Sequence, residues 1–395
     1  MTESRLNLKF TSLFAINFLI TFCFGINDSL FSLYYSTYSV NGLLFGLSFT
    51  LYSVSKIAFS PFTGALLDRC KPHRVLLVTL IMYFSVSASF YLIHNEIAII
   101  AVRIVQGISC AMFRPIMYYI LGRNEEGGSG KILGTFDISF YSALALAPLV
   151  GGLVVKWGGF RTIFIVMMFC CMAAMAVAFA FSGFYKIHKG CETHEDSSEF
   201  STGTVNRLMV YIFCRGMGIS VITAFLPIYL SGINIDISAI GVLLCVITAC
   251  TALFLPLTSS LADKVSKEML IASGGIAVSL ILMTLTSFTG FIPLLIVVGL
   301  SGFFSALSQP ACSSLMIEKT EKKKLGSTIG KFNSSMGLGF AFGPFAGMLI
   351  NKTLGINAVF IITGLLGIVT SGMFLFSAEP KTVSISEEIG NSPLN

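Results

Sequence analysis

Charge is what this sequence has least of. Only 11% of its 395 residues are Asp, Glu, Lys or Arg, whereas 55% are hydrophobic. Soluble domains carry about 25% charged residues, so this chain has too few charges to cover a surface that faces water. Its mean hydropathy of +0.86 indicates that most of the chain is solvated by lipid.

Other absences exclude other classes of protein. The ten cysteines include no CxxC pair and mostly lie inside apolar runs, so they are expected to be buried apolar residues. The four histidines show no metal-ligand spacing. The sequence also contains no pairing of a nucleophile with a base that would indicate an enzyme. Neither GGSGK nor STIGK completes a phosphate-binding loop, because Glu125 and Leu325 stand where its first glycine is required. We therefore expect no metal, no cofactor and no ATP-driven chemistry.

Twelve apolar segments are long enough to cross a membrane, since a span needs roughly 20 apolar residues. Runs of this length are helices, because every backbone polar group must be satisfied within the segment. MTESRLNLKF leads into the first of them without a cleavage site, so no signal peptide is predicted. The predicted spans are 10–36, 42–66, 75–93, 97–121, 132–155, 160–182, 207–230, 238–262, 269–288, 291–316, 326–350 and 356–377.

Lysine and arginine are distributed unevenly between the loops. With twelve spans both termini share one side, and 18 of the 25 basic residues fall there, against only Lys156, Arg161 and Lys352 on the other. Because Lys-rich and Arg-rich loops stay in the cytoplasm, both termini are predicted to be cytoplasmic. The formal charge of +6 is then a topology signal, and no nucleic-acid partner is expected. Short loops and the lack of a targeting sequence suggest a bacterial inner membrane.

The longest polar interruption, at 186–207, divides the spans into two blocks of six that look like copies. The predicted organisation is a six-helix bundle at 1–185, a cytoplasmic linker at 186–206, a second six-helix bundle at 207–378 and a cytoplasmic tail at 379–395. With six spans each, both blocks enter the membrane with the same polarity, around an aqueous path. The matches at an offset of 195 pair Pro61, Asp68, Arg69, Gly107 and Pro115 with Pro256, Asp263, Lys264, Gly302 and Pro310.

Two stretches resemble signatures of the major facilitator superfamily. GALLDRCKPHR, at 64–74, is similar to the signature between the family's second and third helices. It carries Gly64, Leu66, Asp68 and Arg69, but departs from the pattern at Lys71, Pro72 and His73. RIVQGISCA is similar to the signature of the fourth helix, with Arg103, Gln106 and Gly107 in place.

The fifth predicted helix resembles the antiporter signature of the family's twelve-helix drug:proton branch. Two of the signature's glycines are replaced by Ala143 and Ala147. Small residues one turn apart allow two helices to approach closely, and generic close packing accounts for the pattern equally well. The matching residues are Gly134, Pro148, Gly151 and Gly152, with Gly330, Gly339, Gly343, Pro344 and Gly347 in the second half.

The resemblance implies two pseudo-symmetric six-helix bundles that rock around a central substrate site. It also implies that the first loop latches the outward-facing state through Gly64, Asp68 and Arg69, with a weaker copy at Asp263 and Lys264. The alternative is that these charges only set topology. For Asp68 that alternative is incomplete, because acidic residues contribute little to orientation.

Six charged residues lie well within spans, and each needs a partner or water because a charge at the bilayer centre costs at least about 2.5 kcal/mol. In the family, helices 1 and 4 of each half line the cavity. Helical spacing places most of these charges on the same helix faces as other polar residues, mainly in the helices that line the cavity in the family. The expected substrate-binding residues are Asn17, Thr21, Asp28, Tyr35, Tyr52, Lys56, Arg103, Gln106, Arg114, Arg215, Ser305 and Gln309.

Depth within the membrane suggests two acid–arginine pairs. Asp28 and Arg103 both lie in the outer third of their helices, and a carboxylate beside a mobile cation can carry a proton. Asp137 and Arg114 lie at matching depths near the cytoplasmic side, as a structural bridge or a second protonation site. Asp28 is the first candidate for proton coupling and Asp137 the second.

These observations favour a secondary active transporter that exports a small organic solute by proton antiport. Four intramembrane cations against two acids favour an anionic solute, unless salt bridges consume the arginines. The alternative is a proton-coupled importer or symporter of an anionic nutrient or metal chelate. A sensor or scaffold on the same fold would need a larger soluble region than the loops provide. The expected partners are the solute, protons and lipid, and the chain is expected to act as a monomer.

Overall fold

The computed structural model describes residues 3–38, 42–122, 129–181, 202–320 and 325–375. Within these ranges the side chains of 3–7, 61, 64, 65, 67–69, 122, 129–135, 137, 202, 262–264, 317, 325–327, 329 and 330 are not described. Most of the predicted linker and the whole predicted tail therefore lie outside the described residues.

The first half of the chain consists of six helical segments. The fifth and sixth form one run, Ser129–Ala180, which is broken at Gly159, where φ is 73°. That left-handed conformation is strained for residues with a Cβ, so glycine is required there. The segments are α1 (Glu3–Ser36), α2 (Gly42–Arg69), α3 (Pro72–Leu92), α4 (Glu96–Gly122), α5 (129–158) and α6 (160–180).

The second half repeats this pattern. Its fifth and sixth helices also meet at a glycine of positive φ, Gly355, where φ is 84°. Gly355 lies 196 positions after Gly159, the same offset that links Pro148 and Gly151 to Pro344 and Gly347. The segments are α7 (Thr202–Gly232), α8 (Ile237–Lys264), α9 (Lys267–Thr284), α10 (Phe291–Glu318), α11 (Leu325–Leu354) and α12 (Ile356–Gly372).

Most of the described helices are long and apolar enough to cross a bilayer, although α11 does not meet this condition. In the described part of the chain, nine helices meet this condition, one of which joins α5 and α6, and α12 is a shorter apolar helix. Counting α5 and α6 separately gives twelve helical segments among the described residues, in the order of the twelve predicted spans. The prediction of an all-α membrane protein built from two six-helix bundles is confirmed.

Each bundle is packed in the same way. α1 packs on α5 and α2 on α4 in the first, as α7 packs on α11 and α8 on α10 in the second. Small residues make these approaches close. A Cβ on Gly25 of α1 would lie 2.8 Å from the Cβ of Ala147 on α5, so α1 supplies the glycine where α5 has the bulkier residue.

The two bundles meet along α2–α11 and α5–α8. On α2, the Thr50 Oγ1 donates a hydrogen bond to the Ala341 carbonyl of α11 at 2.7 Å. On α5, a Cβ on Gly152 would lie 2.8 Å from the Ile237 carbonyl of α8. Both contacts lie towards the face that the sequence predicts to be outer, so the bundles are joined at that face.

Towards the predicted cytoplasmic face the same helices expose large apolar side chains. Phe59 and Phe62 on α2 and Leu253 and Leu257 on α8 are each more than 40% exposed. Leu43 at the outer end of α2 is exposed as well, as expected for surfaces in lipid, so the contacts between α2 and α11 and between α5 and α8 are what indicate closure at the predicted outer face.

Candidate transport site

A buried ion pair joins α1 to α4 in the first bundle. The Arg103 Nη1 donates to the Asp28 Oδ1 at 2.6 Å and to the Gln106 Oε1 at 2.9 Å. The Gln106 amide also donates to the same carboxylate oxygen at 3.1 Å. The two partners differ in burial, because the Arg103 side chain is 1% exposed and that of Asp28 is 34% exposed. The cation is therefore fixed in protein while the carboxylate remains accessible.

Aromatic rings hold the Arg103 guanidinium on its other side. Its central carbon lies 3.7 Å from the ring centroid of Phe31, 4.9 Å from Tyr52 and 5.2 Å from Phe49. Cation–π contact of this kind is stronger when the cation is desolvated. These contacts stabilise the guanidinium even when the carboxylate is neutral, because the attraction comes from the faces of the aromatic rings. Among the described residues, the Arg103 Nε has no hydrogen-bond acceptor.

Arg114, one helical turn into the cytoplasmic half of α4, lies against aromatic residues. Its guanidinium carbon is 4.0 Å from the ring centroid of Phe140 on α5, and its Nη2 donates to the Tyr118 hydroxyl at 3.1 Å. The side chain of Asp137, its predicted partner, lies outside the described residues. The pairing of Arg114 with Asp137 stays a prediction.

A second cationic cluster lies in the other bundle, where α7 meets α10. Arg215 donates to the Ser308 hydroxyl, to the carbonyl and hydroxyl of Ser305 at 3.3 and 3.1 Å, and to the Gln309 Oε1 at 3.4 Å. All of these acceptors are neutral. The Gln309 amide donates in turn to the Tyr141 hydroxyl of α5 at 3.3 Å, which links the cluster to the first bundle.

The remaining residues of the predicted substrate-binding set occupy different environments. Asn17 is buried and donates to the Ser139 hydroxyl of α5 at 2.7 Å. Tyr35 is fully buried, and its hydroxyl has no hydrogen-bond partner among the described residues. Thr21 is partly exposed and Lys56 is exposed. The structure thus gathers Asp28, Tyr52, Arg103 and Gln106 in one cluster and Arg215, Ser305 and Gln309 in another, with Asn17, Tyr35 and Lys56 outside both.

The predicted latch lies where two equivalent helices end. Asp68 and Arg69 end α2, and Asp263 and Lys264 end α8. Gly64 precedes them on α2, and the side chains at all five positions lie outside the described residues. The latch role stays a prediction.

The glycines and prolines of the predicted packing motif lie on two kinds of surface. Within bundles, a Cβ on Gly151 would lie 2.9 Å from Ile26 of α1, and Cβ atoms on Gly339, Gly343 and Gly347 would crowd α7. Between bundles, Gly152 and Pro148 lie against α8, and the Pro344 carbonyl lies against α2. The surroundings of Gly134 and Gly330 are not described.

An ion pair that the sequence did not predict joins the bundles at the predicted outer face. The Lys156 Nζ, at the end of α5, lies 3.0 Å from the Asp236 Oδ2 at the start of α8. The Ser238 hydroxyl also donates to this carboxylate, and with Lys156 it lowers the pKa of Asp236 below its ordinary value. We call Lys156, Asp236 and Ser238 the outer clasp. The only signal in the sequence was that Lys156 is one of three basic residues on the outer side.

Two repeated bundles of membrane-spanning helices, packed around charged groups that remain accessible, define a membrane transporter rather than an enzyme. The chain belongs to the Major Facilitator Superfamily, whose sequence profile matches residues 13–197 and again 208–393.

Individual relatives agree with this assignment. The chain is 27% identical to the multi-drug resistance efflux pump PmrA of Streptococcus pneumoniae serotype 4, over 45% of this chain and 43% of that protein, so it matches less than half the length of that relative. It is 26% identical to the bacillibactin exporter of Bacillus subtilis over 84% of this chain and 86% of that one. Among solved structures, a bacterial homologue of the human lysosomal transporter Spinster, in an inward-facing and occupied conformation, superposes with a TM-score of 0.78 at 12% identity, covering 95% and 97% of the two chains.

Proposed function

We propose that this protein exports a small organic solute in exchange for protons, as a monomer in a bacterial cytoplasmic membrane with both termini in the cytoplasm. The observation that carries the proposal is the asymmetric pair of Asp28 and Arg103, in which the acid is accessible and the arginine is buried. The efflux pump and the exporter among its relatives support the outward direction.

Proton coupling follows from what holds each partner in place. Arg103 keeps its ring contacts and its bond to Gln106 whether or not Asp28 is ionised. Protonation of Asp28 removes the charge that binds it to Arg103, so the attraction between α1 and α4 weakens when a proton binds. A group that changes its bonding on protonation and is open to solvent meets the requirement for a proton carrier. The carboxylate of Asp137 is a second candidate.

Rocking of the bundles supplies the second half of the cycle. The outer clasp and the α2–α11 contact close the predicted outer face, and the predicted latch at the other ends of α2 and α8 would close the cytoplasmic face in the alternate state. We propose that Asp68 and Arg69, with Asp263 and Lys264, form that second closure.

Everted membrane vesicles test the coupling. The vesicles are energised with a pH gradient followed by an acridine dye, and a panel of organic solutes is added. Wild-type protein is expected to dissipate the gradient when its solute enters the vesicle. Asp28→Asn should abolish this response at unchanged protein level, because an amide neither takes up nor releases a proton.

A matched control is Glu268→Gln, which removes an acid at the start of α9, away from both clusters. It should respond as wild type does. A full response in Asp28→Asn would contradict the proposal. Solute accumulation that is driven only in right-side-out vesicles would instead support the importer.

A further inference from the structure

The two bundles differ in how the positive charge of a membrane-embedded arginine is balanced. Arg103 is neutralised by Asp28 in the first bundle. Arg215 in the second has only neutral acceptors, and no carboxylate of the described residues lies within 4.0 Å of it. A guanidinium remains charged under all physiological conditions, so the second bundle holds a net positive charge at this place.

The repeat shows that this difference is specific to one half. At the offset of 195 that links Gly107 to Gly302, Asp28 corresponds to Thr223 and Arg103 to Val298. The Thr223 hydroxyl donates to the Ile219 carbonyl of its own helix, and Val298 is fully buried. The second bundle thus lacks the acid–arginine pair at the matching place, and its cation serves another purpose.

The groups around Arg215 suit an anion. The hydroxyl of Ser305 and the amide of Gln309 can both donate hydrogen bonds, as the guanidinium does. Arg215, Ser305 and Gln309 are partly exposed, so an occupant can reach them. The contacts from Arg215 to the Gln309 oxygen and the Ser305 carbonyl, at 3.4 and 3.3 Å, are long, and bonds from a cation to an anion are shorter and stronger than these.

From these observations we infer that Arg215 binds the anionic group of the transported solute, which is therefore a carboxylate-bearing organic compound with an apolar body. This inference rests on the proposed transport function and specifies the chemical class of its substrate. The apolar body has an aromatic ring to contact, since Tyr141 of α5 lies beside this cluster and its hydroxyl accepts a hydrogen bond from the Gln309 amide at 3.3 Å.

Binding of a carboxylate at Arg215 would also change a contact with the first bundle. Gln309 accepts from Arg215 and donates to the Tyr141 hydroxyl across the bundle interface. A carboxylate that replaces Gln309 as the acceptor for Arg215 frees its amide to turn, which changes a contact between the bundles. The subsite is therefore placed to connect solute binding with their relative movement.

Thermal stability in nanodiscs at fixed pH tests the inference without a gradient. The probes are matched pairs of aromatic carboxylates and their neutral amides, beginning with 2-naphthoate and 2-naphthamide. For wild type we expect carboxylates to raise the melting temperature at concentrations at least tenfold below those of the amides, since hydrogen bonds to charged groups contribute more than neutral ones. Arg215→Gln should bring this ratio close to one.

Two further variants keep the outcome decisive. Arg215→Lys retains the charge but not the two-pronged geometry, so it should keep a preference for carboxylates at reduced affinity, even if Arg215→Gln does not fold. Lys352→Gln removes a cation at the end of α11 and should leave the ratio unchanged. Equal stabilisation by acids and amides in wild type, or a preference that survives Arg215→Gln, would overturn the inference. Neither result bears on proton coupling, which the vesicle assay with Asp28→Asn decides separately.

Discussion

At the residue scale, close helix contacts depend on single glycines whose loss cannot be accommodated. A Cβ on Gly107 of α4 would meet the Ser55 hydroxyl and the Tyr52 carbonyl of α2 well inside contact distance. A side chain can move aside, but a backbone carbonyl cannot. Its counterpart Gly302 meets the Ile247 carbonyl of α8 in the same way, so both halves use the same device.

We predict that Gly107→Ala destabilises the protein by about 1–3 kcal/mol, the usual cost of overpacking a filled interior. Gly218→Ala on α7 is the matched control, since a Cβ there meets nothing within 4 Å. It should be neutral or slightly stabilising because alanine favours the helix. Thermal unfolding in detergent measures both, and equal melting temperatures would refute the role given to Gly107.

At the element scale, the ends of α5 and α8 determine whether the predicted outer face is closed. The Ser238 hydroxyl, with Lys156, lowers the pKa of Asp236. A lowered pKa means that the clasp is complete above the ordinary aspartate value of about 3.9. Its contribution is lost only as the pH falls through the lowered value. Closure of this face should therefore be insensitive to pH across the neutral range.

Trp157, the single tryptophan of the chain, directly follows Lys156 and is exposed, so its emission is a probe of this end of α5. We predict that its emission is constant from about pH 5 to pH 8 and changes below about pH 3.9, as the clasp opens. Asp236→Asn should shift the emission at neutral pH and remove the acid transition. Lys352→Gln changes the residue that corresponds to Lys156 in the second half, and it should behave as wild type. A wild-type acid transition in Asp236→Asn would show that another group is responsible.

At the scale of the whole molecule, the orientation in the membrane fixes which face each site serves. Cys70, between α2 and α3, is exposed and is predicted to be cytoplasmic, as is Cys191 in the linker. We predict that a membrane-impermeant maleimide labels the protein in everted vesicles and not in intact cells. The double variant Cys70→Ser/Cys191→Ser should lose most of this labelling. Labelling of Cys70 in intact cells would invert the assignment of the two faces.

The sequence predicted the features that follow directly from solvation by lipid. Apolar length predicted twelve helices in order, and the offset of 195 predicted two equivalent bundles, because a span must satisfy its own backbone and a repeat packs as its copy does. It also placed Asp28 near Arg103, since both lie at the same depth on two helices that the family resemblance puts around the central cavity. The depth of a residue can be read from its position along a span.

Only the tertiary structure decided what surrounds the other charges. Nothing in the sequence showed that Arg215, unlike Arg103, is surrounded by hydroxyls and an amide. Nor did spacing along the chain bring Lys156 to Asp236, which lie 80 positions apart. The sequence by itself determined the order of the helices and their repeat, because each apolar segment must satisfy its own backbone hydrogen bonds in lipid. The distribution of charge between the bundles depends on how helices rotate against one another, and that is fixed only when they pack.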